Sequence, residues 1–392
     1  ANRRAKNRLA TVCVNNSCFP CYASLGQYSN YTHNPNGYFN CLKIPPTKPD
    51  DGQYQTIVSY KGFIYSSTDY GNTWSLVYTN TNTSFKSNIF SKIPGLLNQS
   101  TTNAGVSTYY YKTNNSLINW NNPGNQPIVV NPFFLSLTGS YDLKFQTFAN
   151  FDTSINITTS YSIDGGQNWN PSVSIDNGGN LDGVTNLASS ASGQYQIATC
   201  FPPDLTPYIP NISYSTNYGA TWQKLATQPP NLDIPIGCCI SGDNSIWLIG
   251  NISSSIQYSY DQGKSWMFSN YSSISLNNAG CIKSSYNGTY VVACGNLFGG
   301  ATFYLFLSSN KGISFAALNP NPLAVYWISC DISSSGKVIT ALSYNADNSI
   351  IYFSISRDYG NTWKTINLSD TKPFSTSYQG GFDIGLSSIA IN

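Results

Sequence analysis

The chain has 392 residues, a net charge of +2 and a charged fraction of 9%, about a third of the ordinary share. Its 41% hydrophobic and 14% aromatic content supplies a core and excludes a disordered chain. All 17 acids are aspartates, His33 is the sole histidine and Arg3, Arg4, Arg8 and Arg357 are the arginines, so the balance of residues favours strands over helices.

In chain order, the first feature is a basic arm formed by Arg3, Arg4, Lys6 and Arg8. It reads as a solvated terminus, with contact to an acidic partner as the alternative. The remaining chain sets 15 basic residues against 17 aspartates, which gives the body no electrostatic footprint for nucleic acid. The sequence shows neither the apolar stretch of a signal peptide nor a run of 18 apolar residues, so no membrane span is expected. Residues 1–48 also hold Cys13, Cys18, Cys21, His33 and Cys41. The expected reading is two disulfides that staple a segment too small for its own core. The alternative is zinc, because Cys18, Cys21, His33 and Cys41 have passable ligand spacing. No other metal site and no cofactor are expected.

From residue 49 onward an eight-residue phrase recurs. It reads Ser-Thr-Asp-Tyr-Gly-Asn-Thr-Trp at 67–74, and a degraded copy without glycine, Thr-Asn-Asn-Ser-Leu-Ile-Asn-Trp, follows at 113–120. Further copies start at Ser162, Ser215, Ser259, Ser308 and Ser356, so the spacings are 46, 49, 53, 44, 49 and 48 residues. The third position is Asp69, Asn115, Asp164, Asn217, Asp261, Asn310 or Asp358. The eighth is Trp74, Trp120, Trp169, Trp222, Trp266, Phe315 or Trp363. A period of this length predicts a stack of supersecondary units.

Local chemistry explains the phrase. The Asp or Asn oxygen accepts backbone N–H groups inside a tight hairpin, glycine takes the turn conformation that a side chain resists, and the aromatic residue starts the next strand. These residues are therefore expected to be structural rather than catalytic. Between the phrases, short apolar runs bounded by turn residues predict four strands per repeat. Pro235–Ser241, Ser245–Asn251, Ser255–Tyr260 and Trp266–Asn270 are one such set. Cys239, Cys281 and Cys330 occupy similar first-strand positions, and Cys281 and Cys294 are symmetric about the turn at Tyr286–Thr289, where they face each other across strands. The first repeat has no first strand before Asp50, whereas Gly385–Asn392 has that pattern and no repeat of its own. Pairing the two would remove two open edges.

The phrase resembles the Asp-box, or BNR, repeat over roughly residues 49–392. The resemblance implies an all-β, seven-bladed β-propeller with four-stranded antiparallel blades, closed by the C-terminal strand and preceded by the Cys-rich extension. It is most like propellers in surface proteins of large DNA viruses and phages, where Ser-Ile-Ala-x-Ser-x-Asp-Gly-x-Tyr-Gln precedes a box. Here Ser388-Ile389-Ala390-Ile391-Asn392 and Asp50-Asp51-Gly52-Gln53-Tyr54-Gln55 split that phrase between the two ends. Sialidases of this fold use an arginine triad and a Tyr–Glu pair, which this sequence cannot supply. The expectation is thus a non-enzymatic structural or binding protein of a virion or extracellular surface. Its expected partners are glycans or other structural proteins, engaged in multiple copies. A hydrolase using an Asp pair and an intracellular assembly scaffold are the alternatives. Ligand contacts are expected on the loops opposite the boxes, through Asp182, Asp204, Tyr208 and Asp370, with Asp176 nearby.

For the extension, unreduced intact-mass measurement should give a value about 4 Da below the all-thiol mass, localised to Cys13, Cys18, Cys21 and Cys41. Stoichiometric zinc with four free thiols would select the alternative.

Overall fold

The computed structural model describes residues 10–14, 17–21, 55–59, 63–79, 83–90, 97–103, 108–113, 134–142, 144–151, 157–166, 168–176, 184–200, 211–232, 235–251, 256–271, 281–294, 304–321, 326–345, 350–368 and 386–391. The chain divides into two compact units, Ala1–Thr47 and Lys48–Asn392. In the first, β1 (Ala10–Val14) and β2 (Ser17–Cys21) form an antiparallel hairpin, which the residue pattern does not predict. Its register sets Cys13 opposite Cys18 and Ala10 opposite Cys21. His33 and Cys41 lie outside the described residues.

The second unit is a succession of antiparallel sheets. The first sheet contains β3 (Gln55–Ser59), β4 (Phe63–Ser67) and β5 (Ser75–Thr79). The second contains β6 (Thr83–Phe90), β7 (Leu97–Asn103) and β8 (Thr108–Thr113); the degraded box with Asn115 and Trp120 lies outside the described residues. The third contains β9 (Phe134–Gly139), β10 (Gln146–Phe151), β11 (Ile157–Ser162) and β12 (Asn170–Pro171). The fourth contains β13 (Val173–Ser174), β14 (Val184–Ser189), β15 (Gln196–Cys200), β16 (Asn211–Ser215) and β17 (Thr221–Lys224). The fifth contains β18 (Pro235–Ile240), β19 (Trp247–Asn251), β20 (Gln257–Ser259) and β21 (Met267–Phe268). The sixth contains β22 (Asn270–Tyr271), β23 (Cys281–Ser284), β24 (Val291–Cys294), β25 (Leu305–Ser308) and β26 (Ser314–Leu318). The last contains β27 (Tyr326–Ile332), β28 (Ile339–Asn345), β29 (Ile350–Ser356) and β30 (Lys364–Asn367). The final strand, β31 (Leu386–Ile391), pairs antiparallel with β3, so the first sheet takes strands from both ends of the unit.

Four strands per repeat is too simple a rule for the fourth and sixth sheets. There β13 and β22 add a fifth, parallel strand at the outer edge. Each is the continuation of the preceding sheet's last strand. After β12 the chain shifts its pairing, and Val173 and Ile175 donate to the carbonyls of Ala220 and Trp222 in the next sheet. A strand that leaves one edge to cover the next protects backbone groups that would otherwise template aggregation. The parallel bonds are non-local, which is why residue alternation does not reveal them.

Apolar residues pack between the sheets. One cluster joins Ile197 and Ile212 of the fourth sheet to Ile240, Trp247 and Ile249 of the fifth. The next layers join the fifth to the sixth sheet through Leu248 and Phe306, and the sixth to the last through Val292 and Ile339. The last layer joins Phe353 and Leu342 to Ile57, Tyr65 and Trp74 of the first sheet. This is β-propeller architecture: meander sheets set face to face, with apolar layers between successive sheets from the third to the last and from the last to the first. Among the described residues no helix is long and apolar enough to cross a membrane.

Removing Leu386–Ile391 exposes the edge of β3 beside that last layer. The truncated protein should lose its cooperative thermal transition or aggregate, with Tm lowered by at least about 5 °C. An unchanged Tm would contradict this role for β31.

Candidate functional site

The boxes are the first candidates because they concentrate the aspartates. In each described copy the first serine hydroxyl donates to the third residue and accepts the glycine N–H. Ser67 Oγ lies 2.9 Å from Asp69 Oδ1 and 2.8 Å from Gly71 N. Asp69 also accepts the Thr73 N–H at 2.8 Å and the Thr73 hydroxyl at 2.6 Å. The same set recurs around Asp261 and Asp358, and around Asp164 with the Asn168 side-chain amide in place of the hydroxyl. Where the residue is Asn217 or Asn310, its amide instead donates to the hydroxyl of Thr221 or Ser314. Those hydroxyls reverse direction, so Asp and Asn are equivalent there.

These bonds set the charge state. The Ser265 hydroxyl holds Asp261 down to about 2, with further help from the Ser265 N–H and Ser259. The Thr362 hydroxyl and N–H hold Asp358 below the ordinary aspartate value. Desolvation works against the Asp69 charge, but Thr73 and Ser67 outweigh it and its pKa is also lowered. A carboxylate kept ionised and surrounded by donors cannot serve as a general acid near neutral pH.

The box also joins neighbouring sheets. The residue before the glycine and the glycine itself both take positive φ, for example 60° at Gln262 and 84° at Gly263. Sequence reading assigns that conformation to glycine alone, but Tyr70, Tyr218, Lys311 and Tyr359 adopt it as well. The glycine is required for a second reason. A Cβ on Gly263 would lie 2.8 Å from Leu225 Cδ2, and one on Gly71 would lie 2.6 Å from Phe353 Cε1, each in the preceding sheet of the packing order. The box aromatics pack the same way: Trp74 meets Phe353 edge-on at 5.4 Å, and Trp266 Nε1 donates to Thr227 O. Trp222, Phe315 and Trp363 fill or flank the intersheet layers, while Trp169 packs on Phe148 of its own sheet. Arg357, the one arginine of the body, donates to Tyr70 O and lies over the Tyr70 ring. It bridges two boxes and is not free to clamp a carboxylate.

Among the described residues a second repeated turn joins β9 to β10, β14 to β15, β18 to β19, β23 to β24 and β27 to β28. Ser140 donates to Asp142, Ser241 to Asp243 and Ser285 to Asn287, and each serine accepts the N–H of the fifth residue on. Backbone bonds then run from turn to turn across sheets: Tyr141 N to Ala191 O, Ala191 N to Gly242 O, Asp243 N to Tyr286 O, and Tyr286 N to Ser334 O. In sequence these turns share a serine followed two residues on by Asp, Asn or Ser. The belt itself is non-local and is not readable there.

Asp176, expected on a ligand loop, accepts the Lys224 N–H and caps the parallel edge of the fourth sheet. Asp182, Asp204, Tyr208 and Asp370 lie outside the described residues. The strands bounding those segments end opposite the boxes. Cys281 and Cys294 are register partners, as their symmetry about the turn predicts. The structure adds Cys330 from the adjacent sheet, with the three sulfurs within 4.8 Å of one another. Among the described residues these thiols are the one group able to hold a metal ion.

No family model matches the chain. No curated protein matches it either. Among solved structures, it is similar to a chain of a nidogen/laminin complex, with 10% identity over 86% of this chain and 97% of that one and a TM-score of 0.47. It is also similar to a GH74 enzyme of Niastella koreensis, with 15% identity over 82% and 60% of the two chains and a TM-score of 0.32. A third is YCF48 bound to a D1 peptide, with 13% identity over 59% and 80% and a TM-score of 0.37. The propeller assignment for this chain rests on its own strand order and intersheet packing.

Two substitutions separate the box's roles. Gly263→Ala should cost about 2–4 kcal/mol, from positive φ and overpacking on Leu225, whereas Lys264→Ala should stay within about 0.5 kcal/mol. Asp261→Asn should be almost neutral at pH 7 because Asn217 and Asn310 already do its work. The lowered Asp261 pKa stabilises the fold above the unfolded value of 3.8, and that contribution disappears as pH falls through about 2. Denaturant melts of the wild type and Asp261→Asn, equal at pH 7, should therefore diverge between those values, because the wild type alone loses stability as the carboxylate is protonated. A constant difference across that window would contradict the assignment.

Proposed function

We propose that this chain is a non-enzymatic binding or structural protein of a virion or extracellular surface, built as a closed seven-bladed propeller. The first strands neighbour one another in the order β31, β6, β9, β14, β18, β23, β27 and back to β31, which supports the ring and its blade count. The observation that carries the functional reading is the use of the box carboxylates. They are held ionised by turn hydrogen bonds, and Arg357 is spent on bridging two boxes. With no glutamate in the chain, the groups that hydrolyse acidic sugars in this fold have no counterparts. What a propeller of this kind offers is a rigid frame with long loops opposite the boxes. Such loops suit recognition of glycans or neighbouring subunits by stacking and hydrogen bonding, with avidity from many copies on one surface. Asp182, Asp204, Tyr208 and Asp370 are the residues proposed for contact.

Hydrolysis of a panel of sialosides and neutral oligosaccharides should stay at background, while a multivalent display of the protein should bind a glycan or a structural partner. Asp204→Asn or Tyr208→Ala should weaken that binding at least about tenfold without moving Tm. Turnover abolished by Asp182→Asn or Asp204→Asn would instead establish the Asp-pair hydrolase.

A further inference from the structure

The layer between the sixth and last sheets contains three thiols from three strands. Cys281 on β23 stands opposite Cys294 on β24, and Cys330 enters from β27. Cys281 Sγ and Cys330 Sγ are 3.4 Å apart, and the Cys330 N–H points at Cys281 Sγ from 3.4 Å. Cys294 and Cys330 are buried, while Cys281 is partly exposed. Ordinary core packing explains a small residue at each position but not the convergence of all three sulfurs. Cys239, at the equivalent place one sheet earlier, meets the Ser284 hydroxyl instead.

We propose that Cys281, Cys294 and Cys330 form a trithiolate site for a thiophilic metal ion, with Zn2+ as the charge-balanced occupant. Metal–sulfur bonds of about 2.3 Å place tetrahedrally arranged sulfurs about 3.8 Å apart, within the range these thiols already span. Three thiolates carry three negative charges, which Zn2+ and the nearby Lys283 ammonium balance. Lys283 lies two residues from Cys281 on the same strand face. Binding replaces the thiol protons with the metal and releases them to solvent. The partly exposed side of Cys281 leaves the fourth position to a water molecule. An occupied site would tie the sixth sheet to the last.

The test uses the full-length chain, reduced, with Cys13, Cys18, Cys21 and Cys41 replaced by serine. Anaerobic titration with Co2+ should produce a thiolate-to-metal charge-transfer band that saturates at one equivalent, is displaced by Zn2+ and is accompanied by a rise in Tm. Cys294→Ser and Cys330→Ser should each weaken binding by at least about 100-fold, and Cys200→Ser should leave it unchanged. If either buried variant fails to fold, Cys281→Ser at the partly exposed position supplies the comparison. A folded, fully reduced protein that gives no charge-transfer band would overturn the proposal. So would binding that survives in every folded variant of the trio.

Discussion

A sheet that is apolar on both faces cannot stand alone, and the rest of this structure follows from that constraint. Every residue of β15 and of β19 is buried. Such strands need a neighbour on each side, so the sheets stack, and the first and last members still have one uncovered face each. Here Phe353 and Trp74 bring those two members together. The box glycines then fix how closely sheets approach, because a Cβ at Gly71 or Gly263 would enter the preceding sheet.

Polar groups follow the same logic. The turns at the box end are too short to bury their own N–H groups in a ladder, so Ser, Asp, Asn and Thr side chains satisfy them. That arrangement makes the low charge content workable: the carboxylates act as turn acceptors rather than as a solvating shell. It also keeps Asp69, Asp261 and Asp358 ionised and so unsuited to act as general acids near neutral pH. The thiol trio lies in an intersheet layer rather than in these turns, and the metal site proposed there draws on soft sulfur donors instead of carboxylates.

The sequence made the local features legible and left the non-local ones hidden. The box turn is specified within eight residues, so Ser259, Asp261, Gly263 and Ser265 could be read directly, as could the strands between boxes. The strand pattern of the C-terminal segment also pointed to its pairing with β3, because both ends lacked a partner. The parallel additions β13 and β22 were not legible, since their partners lie some fifty residues away and no alternation marks them. For the same reason Cys281 and Cys294 could be paired across their hairpin, whereas Cys330 joins them only through sheet stacking. Tyr70 and Tyr359 at positive φ ran against ordinary residue preference, and the turn's hydrogen bonds over-determine them.

In the proposed ring the first and last sheets stabilise each other through the layer they share. Native-state hydrogen exchange read by mass spectrometry tests it most directly. The account predicts that β3, β4 and β31 exchange together with β28 and β29, at the slow rate of global unfolding. Fast, independent exchange of β3 and β31 while β28 and β29 remain protected would contradict it.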